Sequence, residues 1–168
     1  VRGREVSRDM SKVLDEVKKC VDGGYKEITL LGQKVNSYGN DLHLQGVNFA
    51  SLLNEIDKIE GKFHVRFMTS HPKDLSEEVA DAMAGSSKIC SNIHLPIQSG
   101  STKVLRDMNR RYDRDHYYSL IEMLRSKMPD IGITTDIMVG FPTETEADFE
   151  DTMDMVRKVR YSNAFTFI

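Results

Sequence analysis

The sequence predicts an α/β protein built on a parallel sheet. Short β-branched runs and amphipathic helical patterns alternate five times, glycine or proline marks most of the exchanges, and almost no residues are left over for linkers. Such alternation forms parallel strands joined by right-handed crossovers. Periodicity leaves open whether the sheet is flat or curved toward a barrel. The chain shows no internal linker, low-complexity tract or repeat.

The elements follow in order. Val13, Leu14, Val17 and Val21 share one helical face, which Gly23 and Gly24 terminate. Glu27 to Leu31 reads as a short strand closed by Gly32. Asn48 caps a second helix that turns Phe49, Leu52, Leu53, Ile56 and Ile59 inward, ending near Gly61. Phe63, Val65 and Phe67 alternate as a strand stopped by Pro72, and Ser76 caps a helix running through Val79 and Met83. Ile93, Leu95 and Ile97 alternate again, followed by a short helix from Ser101 with Val104, Leu105 and Met108. A longer helix from about Asp113 buries Tyr117, Leu120, Ile121 and Leu124 and breaks at Pro129. The strand around Asp136 comes next. Thr145 and Asp148 form a capping box for the last helix, whose inward stripe is Phe149, Met153, Val156 and Val159. Ala164 to Ile168 begin a further strand.

A length of 168 residues fits one domain, and 39% hydrophobic with 29% charged residues is an ordinary globular composition. No apolar run has membrane-spanning length, and the first residues lack a signal peptide's apolar core. A net charge of −3 argues against gripping nucleic acid by bulk charge. The two cysteines, Cys20 and Cys90, fit a reducing compartment or simple chance, and Cys20 falls at helical spacing with Val13 and Val17, which favours a core position. The first helix is preceded by a polar tail instead of a strand, and the chain stops inside its last strand. Both ends therefore read as cut, and a free sheet edge of this kind favours marginal stability or self-association.

The chemistry lies where strands end. Ile133 to Thr145 reads as a buried strand, a tight turn at Gly140 and Pro142, and a helix start. Asp136 is a lone carboxylate in that strand, well placed for ribose hydroxyls at the carboxyl end of a parallel sheet. Gly32-Gln33, Thr69 to Pro72, Pro96 to Ser101 and Gly140 to Pro142 follow the four strand ends, and all fall on one rim in a parallel sheet. Glycines there admit a ligand to the backbone, and the helix start at Ser101 suits a carboxylate or phosphate. His71 and His94 read as rim contacts or as buried, hydrogen-bonded histidines. His43, His64 and His116 lack partners at metal spacing and read as surface residues. The run Asn109 to Arg114 reads as a solvated charge run or a contact for RNA phosphates.

His94-Leu-Pro-Ile-Gln-Ser-Gly-Ser101, Leu30-Leu-Gly-Gln-Lys-Val-Asn-Ser-Tyr-Gly39 and Arg66-Phe-Met-Thr-Ser-His-Pro72 closely resemble the radical S-adenosylmethionine methylthiotransferases. The resemblance begins at Arg2 and covers essentially the whole chain. It implies a partial (β/α) barrel of six strands, of the TIM-like radical type, of which residues 1–168 hold strands two to six. A first strand, a Cys-x-x-x-Cys-x-x-Cys loop, a preceding cluster domain and a following RNA-binding domain would lie outside the chain, which alone is expected to be inactive. The cofactors implied are S-adenosylmethionine and two 4Fe-4S clusters whose ligands are not in this chain. The partners implied are tRNA and an electron-donor protein, in the cytoplasm and away from membranes.

The resemblance also implies a cofactor seat. Gly32 and Gln33 match contacts to the methionine amino group, and Gln98 and Asp136 match contacts to the methionine end and the ribose. Arg110 resembles an arginine that holds the carboxylate, a task suited to its planar fork. Gly140, Phe141 and Pro142 match the segment flanking the adenine, and His94 and Ser99 belong to the same rim. The family's Gly-x-Ile-x-Gly-x-x-Glu pattern is met loosely: Met138 replaces Ile and Glu144 falls one position late, with helix capping as its alternative role. No residue is assigned as acid, base or metal ligand. By family likeness, Gln33 followed by Val35 to Tyr38 favours the branch that methylthiolates C2 of dimethylallyl-adenosine beside the anticodon. The alternatives are the same chemistry on threonylcarbamoyl-adenosine or on a ribosomal-protein aspartate, and a non-catalytic module binding a nucleotide-like ligand or a partner.

Overall fold

The computed structural model describes residues 6–32, 34–42, 46–68 and 70–168. They form two compact units, one of Val1–Thr69 with Ser76–Cys90, the other of Ser70–Leu75 with Ser91–Ile168.

In the first unit, α1 (Met10–Asp22) starts at Asp9, whose carboxylate accepts the N–H groups of Ser11 and Lys12. Gly23 closes it, and Gly24 turns the chain at φ 84°, a conformation open to glycine. β1 (Glu27–Leu30) runs parallel to β2 (His64–Phe67), with Glu27 opposite His64 and Leu30 opposite Phe67. Between them, α2 (Phe49–Asp57) opens with a reciprocal capping box of Asn48 and Ser51. α3 (Glu77–Gly85) follows, capped by Ser76. Leu53, Ile56, Val65 and Ala80 are fully buried, each large apolar side chain contributing about 1.5–3 kcal/mol. Phe49 meets Phe67 edge to face at 5.0 Å. Cys20 is half-buried, not enclosed in the core as its spacing predicts, because α1 fully buries only Val17.

In the second unit, β4 (Gly132–Met138) is the central strand, flanked by β3 (Asn92–His94) and β5 (Asn163–Phe167), all parallel. α4 (Thr102–Asp107), α5 (Arg114–Lys127) and α6 (Glu146–Val159) are capped by Ser101, Asp113 and Thr145. Ile93, Leu95, Leu105, Tyr117, Ile121, Leu124 and Ile133 form the core of this unit.

Three departures from the sequence reading stand out. The strands of the described residues fall into two sheets, β1–β2 and β3–β4–β5, where alternation predicts one. Among those residues the free side of β2 carries only a single bridge, Val65 to Ile89, made as Val65 N–H donates to Lys88 O and Cys90 N–H to Val65 O.

The strand read through Ile97 ends at His94. Pro96 has no N–H to continue the ladder, and Ile97 N–H donates instead to the Thr135 hydroxyl at 2.9 Å. Pairing resumes at Gln98 with Ile137, so β3 advances four residues from His94 where β4 advances three from Thr134. That extra residue is a bulge.

The buried face of α6 is Asp148, Thr152, Met155 and Val159, and the predicted Phe149, Met153 and Val156 are half-buried. The cause is polar: Ser99, Gly100 and Ser101 lie against α6, and Gly100 N–H donates to Thr152 Oγ1 at 2.9 Å.

Candidate functional site

Along β4, Ile133, Thr135 and Ile137 are buried while Gly132, Thr134, Asp136 and Met138 are half-open. Strand alternation therefore puts Asp136 on an accessible sheet face. His94 is the register partner of Thr134, and Phe165 of Asp136. His94 Nδ1 lies 3.0 Å from Thr134 Oγ1, and Nε2 lies 3.4 Å from Asp136 Oδ2. The Phe165 ring approaches the imidazole edge to face at 6.2 Å. Phe165 and Phe167 are 53% and 54% exposed on β5. The result is a carboxylate, an imidazole and aromatic surface on one face.

The bulge shapes the adjacent rim. Gln98 adopts φ 69°, a left-handed conformation costing a non-glycine residue roughly 1–2 kcal/mol. Its backbone is held on both sides, Gln98 N–H donating to Asp136 O at 2.9 Å and Met138 N–H to Gln98 O at 2.8 Å. The half-buried Gln98 is thus fixed in place by the strand that carries Asp136. Backbone strain of this sort collects at ligand sites.

Ser99 points the other way. It is fully buried, its hydroxyl lies 3.3 Å from Thr152 Oγ1, and it accepts Ser101 N–H at 3.1 Å. This side chain fastens the rim to α6. Ser101 likewise finds its carboxylate within the chain: its hydroxyl donates to Asp148 Oδ1 at 2.6 Å. Lys103 Nζ reaches Asp148 Oδ2 at 3.0 Å. The hydrogen bonds from Ser101 and Thr145, with Lys103, hold the Asp148 carboxyl well below the usual aspartate range.

The turn after β4 is exposed at Gly140 and Pro142 and half-buried at Phe141. Gly140 has φ 78°, and a side chain added there would meet nothing within 4 Å. Glu144 does not cap α6, because Thr145 occupies that place; its Oε2 accepts Gly140 N–H and closes the turn on itself. Arg110 follows α4, its backbone N–H donating to Leu105 O at 2.8 Å. Ser70 Oγ, Arg110 Nε and Glu144 Oε1 are buried without hydrogen-bond partners among the described residues. Buried polar atoms without partners are uncommon in native folds.

A tyrosine cluster backs this face. Tyr112 Oη donates to Pro96 O and Ile97 O, Tyr117 Oη to Leu95 O at 2.8 Å, and Tyr161 Oη to Tyr117 Oη at 3.1 Å. Burial pushes Tyr112 up to about 12 and raises Tyr117 and Tyr161 as well.

The remaining predicted residues each have a local setting. Gly32 is exposed in the first unit, beside a cleft of about 850 Å³ between α1 and β1. Gln33, His43 and Thr69 lie outside the described residues. His71 accepts Lys73 N–H at 3.2 Å and meets Tyr112 edge to face. His64 and His116 are exposed. In the Asn109 to Arg114 run, Arg114 pairs with Asp151 and Asp154 at 2.8 and 2.6 Å, which ties the run to α6. Among the described residues no group of His, Cys, Asp and Glu is arranged to hold a metal ion, and no helix is long and apolar enough to cross a membrane. The sequence reading missed Thr134, which strand alternation places on the face of Asp136, and Phe165, which only the register reveals.

Parallel strands joined through helices define an α/β protein. The chain belongs to the Radical SAM superfamily, whose family model matches residues 1–156. Across 168 residues, all of this chain, it is 55% identical to the tRNA-2-methylthio-N(6)-dimethylallyladenosine synthase of Carboxydothermus hydrogenoformans, of which it covers 38%. The protein of the same name from Clostridium novyi is 54% identical over the same 168 residues, with 37% of it covered. The chain thus spans little more than a third of these relatives. Among solved structures it is similar to the radical S-adenosylmethionine methyltransferase TsrM from Kitasatospora setae, with a TM-score of 0.73, 16% identity, and coverage of 96% of this chain and 30% of that one. That likeness shows the fold alone.

Proposed function

We propose that the chain is the central part of a tRNA methylthiotransferase that adds a methylthio group to C2 of N6-dimethylallyladenosine beside the anticodon. The observation that carries this is identity of 53–55% along essentially the whole chain with proteins bearing that activity in their name. The finer fold is a partial (β/α) barrel of six strands, with the five strands here standing second to sixth. The full protein works in the cytoplasm with two 4Fe-4S clusters, an electron-donor protein and tRNA.

S-adenosylmethionine, once bound, supplies the radical chemistry of the superfamily. The residues present fit that group. Asp136 offers acceptor oxygens on a half-open face, as ribose hydroxyls require. Arg110 has an unpartnered buried Nε, consistent with a guanidinium awaiting a carboxylate. Gly140 leaves open space where a flat ring must approach backbone, and Phe141 and Pro142 flank that approach. Gln98, locked by the bulge, contacts the methionine end, and Gly32 and Gln33 its amino group. His94 completes the polar face, and Ser99 fixes the rim from behind. The work of this chain is to orient the cofactor and exclude water, and none of its side chains serves as acid or base. Among the described residues there is no ligand set for an iron–sulfur cluster.

The test is nucleoside mass spectrometry of tRNA from cells lacking the gene. Loss of the methylthio group with accumulation of its dimethylallyl precursor is the expected result. An unchanged nucleoside overturns the reading and brings the threonylcarbamoyl-adenosine or ribosomal target forward.

A further inference from the structure

We propose that His94 is a positioning residue that orients Asp136 for a ribose diol. This rests on the reading above that Asp136 receives the ribose hydroxyls.

The imidazole has a neighbour in each of three directions. Thr134 Oγ1 lies 3.0 Å from Nδ1, Asp136 Oδ2 lies 3.4 Å from Nε2, and Phe165 meets the ring at an interplanar angle of 70°. The partners decide the tautomer. An ionised carboxylate only accepts, so the nitrogen facing it carries the proton. In the neutral ring that leaves Nδ1 as acceptor, and the Thr134 hydroxyl donates to it. The chain therefore runs from the Thr134 hydroxyl to the imidazole to the Asp136 carboxylate. At 3.4 Å the last contact is longer than a formed hydrogen bond. Sites commonly tighten such contacts when the ligand arrives.

The geometry suits a cis-diol. A diol presents two donors at fixed spacing and is met by both oxygens of a carboxylate whose rotation about Cβ–Cγ is fixed. His94 Nε2 faces Oδ2 from one side at 3.4 Å, placed to hold it once the contact shortens, and it does not face Oδ1. The two side chains are 18% and 28% exposed, so the pair is neither sealed nor fully in water. Phe165, the register partner of Asp136, limits the swing of the imidazole on the β5 side.

Two amide substitutions separate this role from a structural one. The amide introduced by His94→Gln reaches the place of Nε2 and keeps a donor toward Asp136. The shorter amide of His94→Asn mimics Nδ1 and keeps only the Thr134 contact. The experiment is equilibrium binding to the full-length protein, with 5′-methylthioadenosine and its 2′,3′-dideoxy analogue as probes. His94→Asn weakens binding of the ribonucleoside by about three- to tenfold, the range set by the need to order one side chain on binding. His94→Gln restores most of that loss, and the dideoxy probe is indifferent to either change. The Nε2 proton of His94 also becomes protected from exchange when the ribonucleoside binds, and not when the dideoxy probe does.

The proposal is overturned if His94→Asn weakens both probes equally, or if Asn preserves binding better than Gln. It is also overturned if His94 variants bind normally while Asp136→Ala loses discrimination between the probes. Should Asp136→Ala leave that discrimination intact, the ribose assignment itself falls, and the role of His94 falls with it.

Discussion

The Ser101 hydroxyl donates to Asp148 Oδ1 at 2.6 Å, so the carboxylate that begins α6 also closes the start of α4. Asp148 Oδ2 accepts Thr145 N–H at 2.9 Å, completing the capping box. One buried aspartate thus organises two helix starts, and the negative charge suits both.

This carboxyl makes folding sensitive to acid. A group depressed in the folded state stabilises above its unfolded value and loses that contribution as pH falls through the folded one. Asp148 is held well below the ordinary 3.8. Stability should therefore decline from about pH 4 downward. Asp148→Asn should be less stable at neutral pH and show a flatter acid limb, measured by urea unfolding across the acidic range.

Two glycines should respond differently to alanine. At Gly100 a Cβ would lie 2.5 Å from Asp151 O and from Thr152 Cα, so backbone must move. Gly100→Ala should cost about 1–3 kcal/mol or more through overpacking. At Gly140 the space is open and only the φ of 78° resists, so Gly140→Ala should cost about 1 kcal/mol. Chemical denaturation of both variants checks the order.

Tyr117 should be sensitive to loss of a single oxygen. Tyr117→Phe leaves Tyr161 Oη without its acceptor, although Leu95 O keeps the Thr135 hydroxyl at 3.0 Å. A loss of about 1–2 kcal/mol is expected. The raised tyrosines also predict alkaline fragility. Their contribution is complete below the unfolded value near 10 and disappears as pH rises through the folded values. Tyrosinate absorbance should therefore develop together with unfolding.

Among the described residues no strand covers the second edge of β1, and Tyr25 and Leu31 beside it are 65% and 76% exposed. Uncovered edges template pairing between chains. The chain of residues 1–168 should self-associate with rising concentration in light scattering, and Leu31→Lys should reduce it.

Local chemistry was the legible part of this fold. Asn48, Ser76, Ser101, Asp113 and Thr145 all cap the helices that their side chains announce. A cap contacts backbone within three residues, so it needs no knowledge of the rest of the chain. The inward face of α6 was not legible, because Thr152 and Asp148 are buried by partners about fifty residues away, at Ser99 and Ser101. The bulge after His94 was hidden for the same reason: Pro96 signals a broken ladder, but only the Thr135 hydroxyl decides where pairing resumes. At the site, Asp136 and Gln98 were visible as polar residues in apolar strands. Their partnership with His94, Thr134 and Phe165 depends on register, which no single strand states.

The alternation along β4 has a consequence for how this segment can change over generations. Thr134, Asp136 and Met138 share the open face only because each is an even step from the others. Deleting one residue between Gly132 and Asp136 would turn Asp136 into the hydrophobic interior and bring Ile137 out. Any substitution here alters one contact, whereas a frame-preserving loss of one codon inverts the strand. Length variation in relatives should therefore collect in the turns after β4 and before β5, and the odd-or-even spacing of 132–138 should persist even where its residues drift.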